Sequence, residues 1–329
     1  MVEFLRGAIV ESNEDSLISR YFAPLATDPG AFGLRDDAAV LKAAGEDIVV
    51  NTDAIVAGVH FLPDDPPDTI ARKALRTNLS DLAAKGAEPA GFVLTLALTS
   101  QDEAWLAEFA RGLGEDIAAY GCPLLGGDTV STPGPLMISV TAFGRVPEGR
   151  IVRRAGAQIG DRIFVTGTIG DAALGLAVLQ GRLVVDDAHV LTSRYRVPQP
   201  RNALARAVRE HATASMDVSD GLAGDLAKLC KVSGVSAVIE AVRVPVSLQA
   251  RALLEAGTID LETLVAGGDD YEILCTLPEA RLASFMARAD EAGITAAVIG
   301  TVVAGDAAPR FIDADGRDIA LTRRSYSHF

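Results

Sequence analysis

The chain has 329 residues, 49% of them hydrophobic, with 30 Lys and Arg against 44 Asp and Glu and a formal net charge of −14. That length suits two domains of ordinary size, and the apolar share supports sizeable cores and argues against disorder. The negative balance argues against a nucleic-acid or anionic-membrane partner, because such binding rests on clustered Lys and Arg; an acidic protein still binds phosphates when divalent cations stand between the two.

Residues 14–25 (EDSLISRYFAPL) predict a short amphipathic helix closed by Pro24. Strand-like runs follow at 38–43 (AAVLKA) and 47–52 (DIVVNT), the second climbing to Asn51-Thr52-Asp53 and expected to end there. Apolar residues at helical spacing mark 68–87, FVLTLAL at 92–98 suits a buried strand, and 102–119 predicts a strong amphipathic helix through Trp105, Leu106, Phe109, Leu113 and Ile117. LMISVTAFG (136–144) closes the first half, and the Gly- and Arg-rich stretch 144–161 is the best candidate for a domain boundary. The second half opens as strand, Gly-rich turn and helix (RIFVTGTIGDAALGL). It continues with a turn into a helix at 216–230, a strand at 235–246 and a turn entering a strand at 266–277, before a polar tail ending SYSHF. Strands alternating with helices give an α/β class with α+β character. NLSDLAA and LGGDT in the first half are faintly echoed by DVSDGLA and AGGDD in the second, too weakly to carry an argument.

Cys122, Cys230 and Cys275 are sparse and contain no CxxC pair, which argues against a disulfide framework or a zinc site and fits a reducing compartment. The opening MVEFLRGAIVESNEDS meets acids before a long apolar stretch develops, unlike a secretory signal, and the most apolar window (90–99) is too short to span a bilayer. The expectation is a soluble cytoplasmic protein.

Five segments share one design: LRDDAAV (34–40), NTDAI (51–55), NLSDLAA (78–84), GGDTVS (126–131) and MDVSDGL (216–222). Each sets Asp beside small or hydroxyl residues near a turn or element end. Hard cations such as Mg²⁺ take carboxylate, hydroxyl and carbonyl oxygens, and small neighbours let several segments approach one ion. Taken singly, each has a structural reading. Asp81 and Asp220 follow Ser and suit helix N-caps, Asp128 suits a turn, and Asp36-Asp37 a solvated turn. Recurrence favours the ion reading, since converging carboxylates repel without cations and become a phosphate clamp with them. There is no GxxxxGK[ST] loop, no HRD or DFG set, no GxSxG and no HExxH. VTGTIGD (165–171) has the wrong spacing for a dinucleotide loop and reads better as a tight turn than as a phosphate seat.

Together these segments resemble the thiamine-phosphate kinases, within the superfamily of aminoimidazole ribonucleotide synthetase. The resemblance runs in order through DDAAV, TDAIVAGVHF, NLSDLAAKGAEP, GGDT, GDRIFVTGTIGDAALGL, MDVSDGL, GGDDYEIL and SYSHF. TDAIVAGVHF, GGDDYEIL and the terminal SYSHF separate these kinases from the other members. The resemblance implies a two-domain chain, 1–146 for ATP, Mg²⁺ and dimerisation and 147–329 for substrate and phosphate, each a mixed sheet with helices. It implies transfer from ATP to thiamine phosphate, giving thiamine diphosphate, in a homodimer paired through N-terminal sheets. It further implies several Mg²⁺ ions per site, with K⁺ as an additional cation. Carried over by position, the metal ligands are Asp37, Asn51, Thr52, Asp53, Asp81, Asp128, Asp217 and Asp220. ATP meets Gly127, Asp128, Arg154 and Ser219, and thiamine phosphate meets His60, Asp269 and Tyr326, the last two chosen to face a cationic thiazolium. The sequence departs from the family pattern at Arg35 (usually Gly), Lys85 (usually Met), Asp269 (usually Glu) and Tyr326 (often Trp). A phosphate monoester acceptor, with a second pKa near about 6, needs no general base, so direct transfer without a phosphoenzyme is expected. A related ATP-dependent synthetase and a non-catalytic nucleotide-binding regulator are the competing readings.

Overall fold

The computed structural model describes residues 18–29, 43, 45–100 and 102–322. Strand 38–43, Asp36-Asp37, Arg35 and Tyr326 therefore lie outside the described residues, except for Ala43. The described part of the expected first helix is a π-helical turn, Ile18–Phe22, followed by a 3-10 turn, Ala23–Leu25, with Pro24 inside it.

The first half forms a four-stranded sheet in the order β1-β4-β2-β3. β1 is Glu46–Val56, β2 Glu88–Leu98, β3 Leu124–Ser131 and β4 Met137–Pro147. β1 and β2 flank β4 antiparallel, and β3 runs parallel to β2. β1 does not stop at Asp53: it runs on to Val56, because pairing to β4 extends to Val56 opposite Met137. One face of the sheet is packed by two helices. α1 (Pro67–Ala84) starts at a proline that needs no N–H partner, with Asp68 in its first turn. α2 (Glu103–Tyr120) is capped by Asp102, which accepts from the Ala104 and Trp105 amides at 2.9 and 3.2 Å, and closes on Gly121 at φ 61°.

The second half is a seven-stranded sheet, order β11-β10-β7-β9-β5-β8-β6, with β7 Ser236–Glu240, β10 Arg310–Ile312 and β11 Asp318–Ile319. Within it β5 (Arg162–Thr166) lies between β9 (Ala296–Val303), the central strand, and β8 (Ile273–Leu277). β6 (Ala214–Asp217) lies at one edge, beside the first sheet's helix α1, and leads through a turn into a helix, Leu222–Ser233. The strand expected at 235–246 covers only Ser236–Glu240, since the chain then turns through Ala241–Arg243 and leaves Val242 exposed. The helix Glu279–Glu291 was not read from the sequence, although Leu282, Phe285, Met286 and Ala289 stand at helical spacing and pack together in the core.

α1 belongs to both halves. Ile70, Leu75, Leu79 and Leu82 join the first core, while Ala83 joins a cluster with Phe164, Leu204 and Phe285. Three polar ties reinforce it: Ser80 Oγ donates to the Tyr271 carbonyl, Asn202 Nδ2 donates to the Leu79 carbonyl, and Lys85 Nζ, just past the helix, donates to the Ser215 carbonyl. The two sheets thus clasp one helix, and the groove between them opens along its face.

Candidate functional site

That groove is a cleft of about 760 Å³ lined from the first half by Asp53, His60, Thr77 and Asp81 and from the second by Arg154, Tyr195, Asp217, Ser219, Asp220, Asp269 and Tyr271. Asn51 and Asp53 share the α1-facing side of β1 because side chains alternate along a strand. Asn51 Nδ2 donates to Asn78 Oδ1 and to Asp81 Oδ2, both at 3.1 Å, and the Asp53 amide donates to the same Asn78 oxygen at 3.1 Å. Asn78 thus fixes both residues and was missed at the sequence level. Thr52 lies on the opposite face, where its hydroxyl donates to the Val140 carbonyl and accepts from Thr141.

Asp81 is not a helix cap. It sits in the last turn of α1, where the dipole disfavours a carboxylate, so its position has a different cause. Asp220 is not a cap either: the Ser219 and Asp220 amides are taken by Asp225, at 3.0 and 2.9 Å, and Lys228 pairs with both Asp220 and Asp225. Asp217 ends β6, buried, in the groove opposite α1.

These carboxylates perturb one another. Enclosure in the cleft, with Asp81 and Asp220 nearby, pushes Asp53 up to about 6. Burial also raises Asp81, and burial with Asp81 repulsion raises Asp217 well above the usual carboxylate range. Lys85 is half-buried beside Asp81 and Asp217; burial lowers its pKa despite the attraction of both carboxylates. Such a set wants a cation. The donors are all oxygens, and Asn51 Oδ1 is buried with no hydrogen-bond partner among the described residues, an orphan acceptor of the kind a hard cation satisfies. Among the described residues no three His, Cys, Asp or Glu side chains form a closed metal site.

Beside the carboxylates, the segment Gly268–Tyr271 lies against Val218–Asp220: the Asp269 amide donates to Ser219 and the Tyr271 amide to Val218, each at 2.8 Å. Asp269 and Tyr271 are held at φ 73° and 52°, which costs backbone energy and marks a constrained site. Asp269 is already engaged. Lys73 Nζ donates to its Oδ2 at 2.8 Å and Tyr271 Oη to its Oδ1 at 3.2 Å. Lys73 is buried from α1, donates also to the His60 carbonyl at 2.7 Å, and lies 3.8 Å from the Tyr195 ring centre. His60 Nδ1 accepts from the Val56 amide at 3.1 Å, so the neutral ring carries its proton on Nε2. Lys73, Tyr195 and Lys228 were not anticipated; only a lysine inside an otherwise apolar helical stripe hinted at the first.

Gly127 and Asp128 are elsewhere. The row Asp53, Val140, Leu94, Gly127 crosses the whole first sheet, so three strand spacings, roughly 14 Å at about 4.8 Å each, separate Asp53 from Gly127 within one chain. Asp128 is exposed on β3, paired with Thr95. Gly127 is needed for packing, since a Cβ there would stand 2.0 Å from the Leu94 carbonyl oxygen. VTGTIGD is a tight turn: the amides of Gly167, Ile169 and Gly170 are spent on Thr295, Pro245 and Asp270.

Known proteins share this architecture. Residues 35–146 match the AIR synthase related protein N-terminal domain and residues 158–311 its C-terminal domain. The thiamine-monophosphate kinase of Caulobacter vibrioides is 45% identical over 94% of this chain and 89% of its own. That of Escherichia coli K12 is 40% identical, covering 96% of this chain and 98% of its own. The chain belongs to the thiamine-monophosphate kinase family. The crystal structure of the family member from Stenotrophomonas maltophilia superposes with a TM-score of 0.79 at 37% identity, covering 87% of this chain and 90% of that one. A further thiamine-monophosphate kinase structure, described as AaThiL complexed with AMPPCP and TMP, matches at TM-score 0.76 and 30% identity, covering 89% and 91%. Hydrogenase maturation protein HypE in complex with ATP, 23% identical with a TM-score of 0.80 over 96% of each chain, shares the fold alone. The chain is thus a kinase with two AIR synthase-like α/β units, and among its described residues no helix is long and apolar enough to cross a membrane.

Proposed function

We propose that this kinase transfers the γ-phosphoryl group of ATP to thiamine phosphate, giving ADP and thiamine diphosphate. The observation that carries the reading is the carboxylate set Asp53, Asp81, Asp217 and Asp220 gathered in one cleft, with Asn51 bonded to Asp81 behind it, in a chain whose 30%-identical relative is described with AMPPCP and TMP. Asn51, Asp53, Asp81, Asp217 and Asp220 would hold Mg²⁺, with Asp37 as a further proposed ligand, Thr52 and Asp128 proposed only for a site shared across a subunit pair, and K⁺ as an additional cation. Bound there, magnesium supplies charge neutralisation between two polyanions and stabilises the leaving ADP.

The chain's own groups do the rest. Arg154 lines the cleft beside Asp81 and can give a phosphate oxygen a charge-assisted bond. Ser219 lies where the nucleotide is proposed to sit. His60 offers Nε2–H to the acceptor phosphate. The Asp269 carboxylate, held by Lys73 and Tyr271, sets a fixed negative field for the thiazolium, a role it is proposed to share with Tyr326. The acceptor phosphate is its own nucleophile, so no side chain is assigned as base, and no phosphoenzyme forms.

Residues 1–146 are assigned to nucleotide, metal and dimerisation, and 147–329 to substrate and phosphate. The outer face of the first sheet, with Val50 and Val130 exposed, is the proposed pairing surface of a homodimer, which gives Gly127 and Asp128 a nucleotide role in the assembly that one chain alone does not offer. A cytoplasmic setting suits the buried free thiols Cys122, Cys230 and Cys275.

Purified protein given ATP, Mg²⁺ and thiamine phosphate should form thiamine diphosphate, read by chromatography, with no ³²P retained on the protein after γ-labelled ATP. Absence of product with K⁺ varied would overturn the reading, and a labelled protein would overturn direct transfer.

A further inference from the structure

On the far side of the inter-sheet linker from the cleft lies a second cavity, about 360 Å³, lined by Arg150, Arg153, Arg209 and Arg281. Its walls are built firmly. The linker is pinned where the Val152 amide donates to the Lys85 carbonyl at 3.1 Å and the Ser215 amide to the Arg153 carbonyl at 3.0 Å. Gly156 approaches the opposite wall so closely that a Cβ would sit 2.5 Å from the Thr213 carbonyl oxygen.

The charge there is uncompensated. Arg150 and Arg153 have no carboxylate partner among the described residues. Arg281 donates only to the carbonyls of Glu210 and His211, at 3.3 and 3.4 Å. Arg209 divides itself between the Gly86 carbonyl and Glu88, the latter at 3.1 Å and largely exposed. The one lining carboxylate, Glu210, is paired with Arg206, outside the cavity. In a chain with net charge −14, four arginines gathered here repel one another, and Arg150 and Arg153 make no side-chain bond among the described residues that offsets this. Their planar forks match phosphate oxygens in pairs. No aromatic side chain lines the cavity, so nothing there would stack on a nucleobase.

We propose that this cavity is a second anion site, separate from the catalytic cleft, for a small phosphate-bearing anion of the diphosphate class. Adjacent residues serve the two sites: Arg153 enters this cavity while Arg154 enters the cleft.

The test exploits the opposite charge of the two sites. Without divalent cations the cleft presents bare carboxylates and repels anions, so calorimetric titration of inorganic diphosphate into the chain in excess EDTA reports the arginine cavity. Wild type should bind one diphosphate per chain, more weakly as salt rises. Arg150→Ala/Arg153→Ala, changing two exposed side chains with no bond to lose among the described residues, should weaken binding by about tenfold or more, the loss of a charged hydrogen bond or two. Arg154→Ala should leave the titration unchanged. No binding by wild type, unchanged affinity in the double variant, or an equal loss in Arg154→Ala would each overturn the proposal.

Discussion

Replacing Lys73 with Met keeps most of the side chain's volume and removes its charge. Lys73 is 1% exposed, and its ammonium has Asp269 Oδ2 at 2.8 Å, the His60 carbonyl at 2.7 Å and the Tyr195 ring at 3.8 Å. Breaking a buried ion pair from one side costs about 3–5 kcal/mol, because the surviving charge is left without its partner. Here Asp269 is 27% exposed, so water recovers part of that loss. The cation–ring contact adds about 1 kcal/mol. A net destabilisation of about 2–3 kcal/mol is expected. Denaturant midpoints for Lys73→Met, Asp269→Asn and the double variant give the coupling directly, and it should reach about 1.5 kcal/mol or more. Because Lys73 also aims the carboxylate proposed to face the thiazolium, KM for thiamine phosphate should rise about tenfold while KM for ATP stays near wild type. A coupling below about 0.5 kcal/mol, the level of independent sites, would refute the pairing argument. Equal rises in both KM values would refute the positioning role.

Asp53→Asn should lower turnover by at least about a hundredfold, a loss of roughly 2.7 kcal/mol of transition-state stabilisation, yet leave the metal-free protein no less stable, since it removes repulsion from Asp81 and Asp220; a lower melting temperature in EDTA would contradict this. Lys85→Met deletes a cation that competes for Asp81 and Asp217, so half-maximal activity should need several-fold less Mg²⁺, and an unchanged magnesium dependence would remove Lys85 from the site's electrostatics. Burial pushes the Cys122 and Cys230 thiols up to about 12 and 11 and raises Cys275 further, so at pH 8 all stay protonated: an aromatic disulfide reagent should find no reactive thiol until denaturant is added, and fast labelling of the native protein would show the cores to be open. Gly127→Ala forces a methyl onto the Leu94 carbonyl and should cost about 1–3 kcal/mol in thermal unfolding; a neutral variant would mean that β2 and β3 separate freely.

The α/β class, α2 and the Gly- and Arg-rich linker were legible because periodicity and turn residues are local signals. What was not legible depended on partners distant in sequence. β1 read as ending at Asp53 because its apolar run stops, whereas its true end is set by pairing with β4. Asp81 read as a cap because Ser-Asp precedes an apolar run, yet that run is the end of a helix begun at Pro67. Asp53, Asp81, Asp217 and Asp220 were grouped by the recurrence of Asp beside small and hydroxyl residues and named as ligands through the family resemblance, and the fold brings them to one cleft. Lys73 and Asp269, 196 residues apart, offered no local sign of pairing. Thr52 shared a motif with Asp53 but alternates to the other face, a consequence of strand geometry once Asp53 is known to lie within the strand.

The helix clasped by both sheets sets how this enzyme can move. Swinging one half away from the other would pull Ala83 out of its cluster with Phe164 and Leu204, and would tear the ties from Ser80, Leu79 and Lys85. An element sealed along both flanks makes a poor hinge. Substrate entry is therefore expected to come by adjustment of the cleft rim rather than by a jaw-like opening, and a core substitution in either half should be felt by the shared axle on which both are mounted.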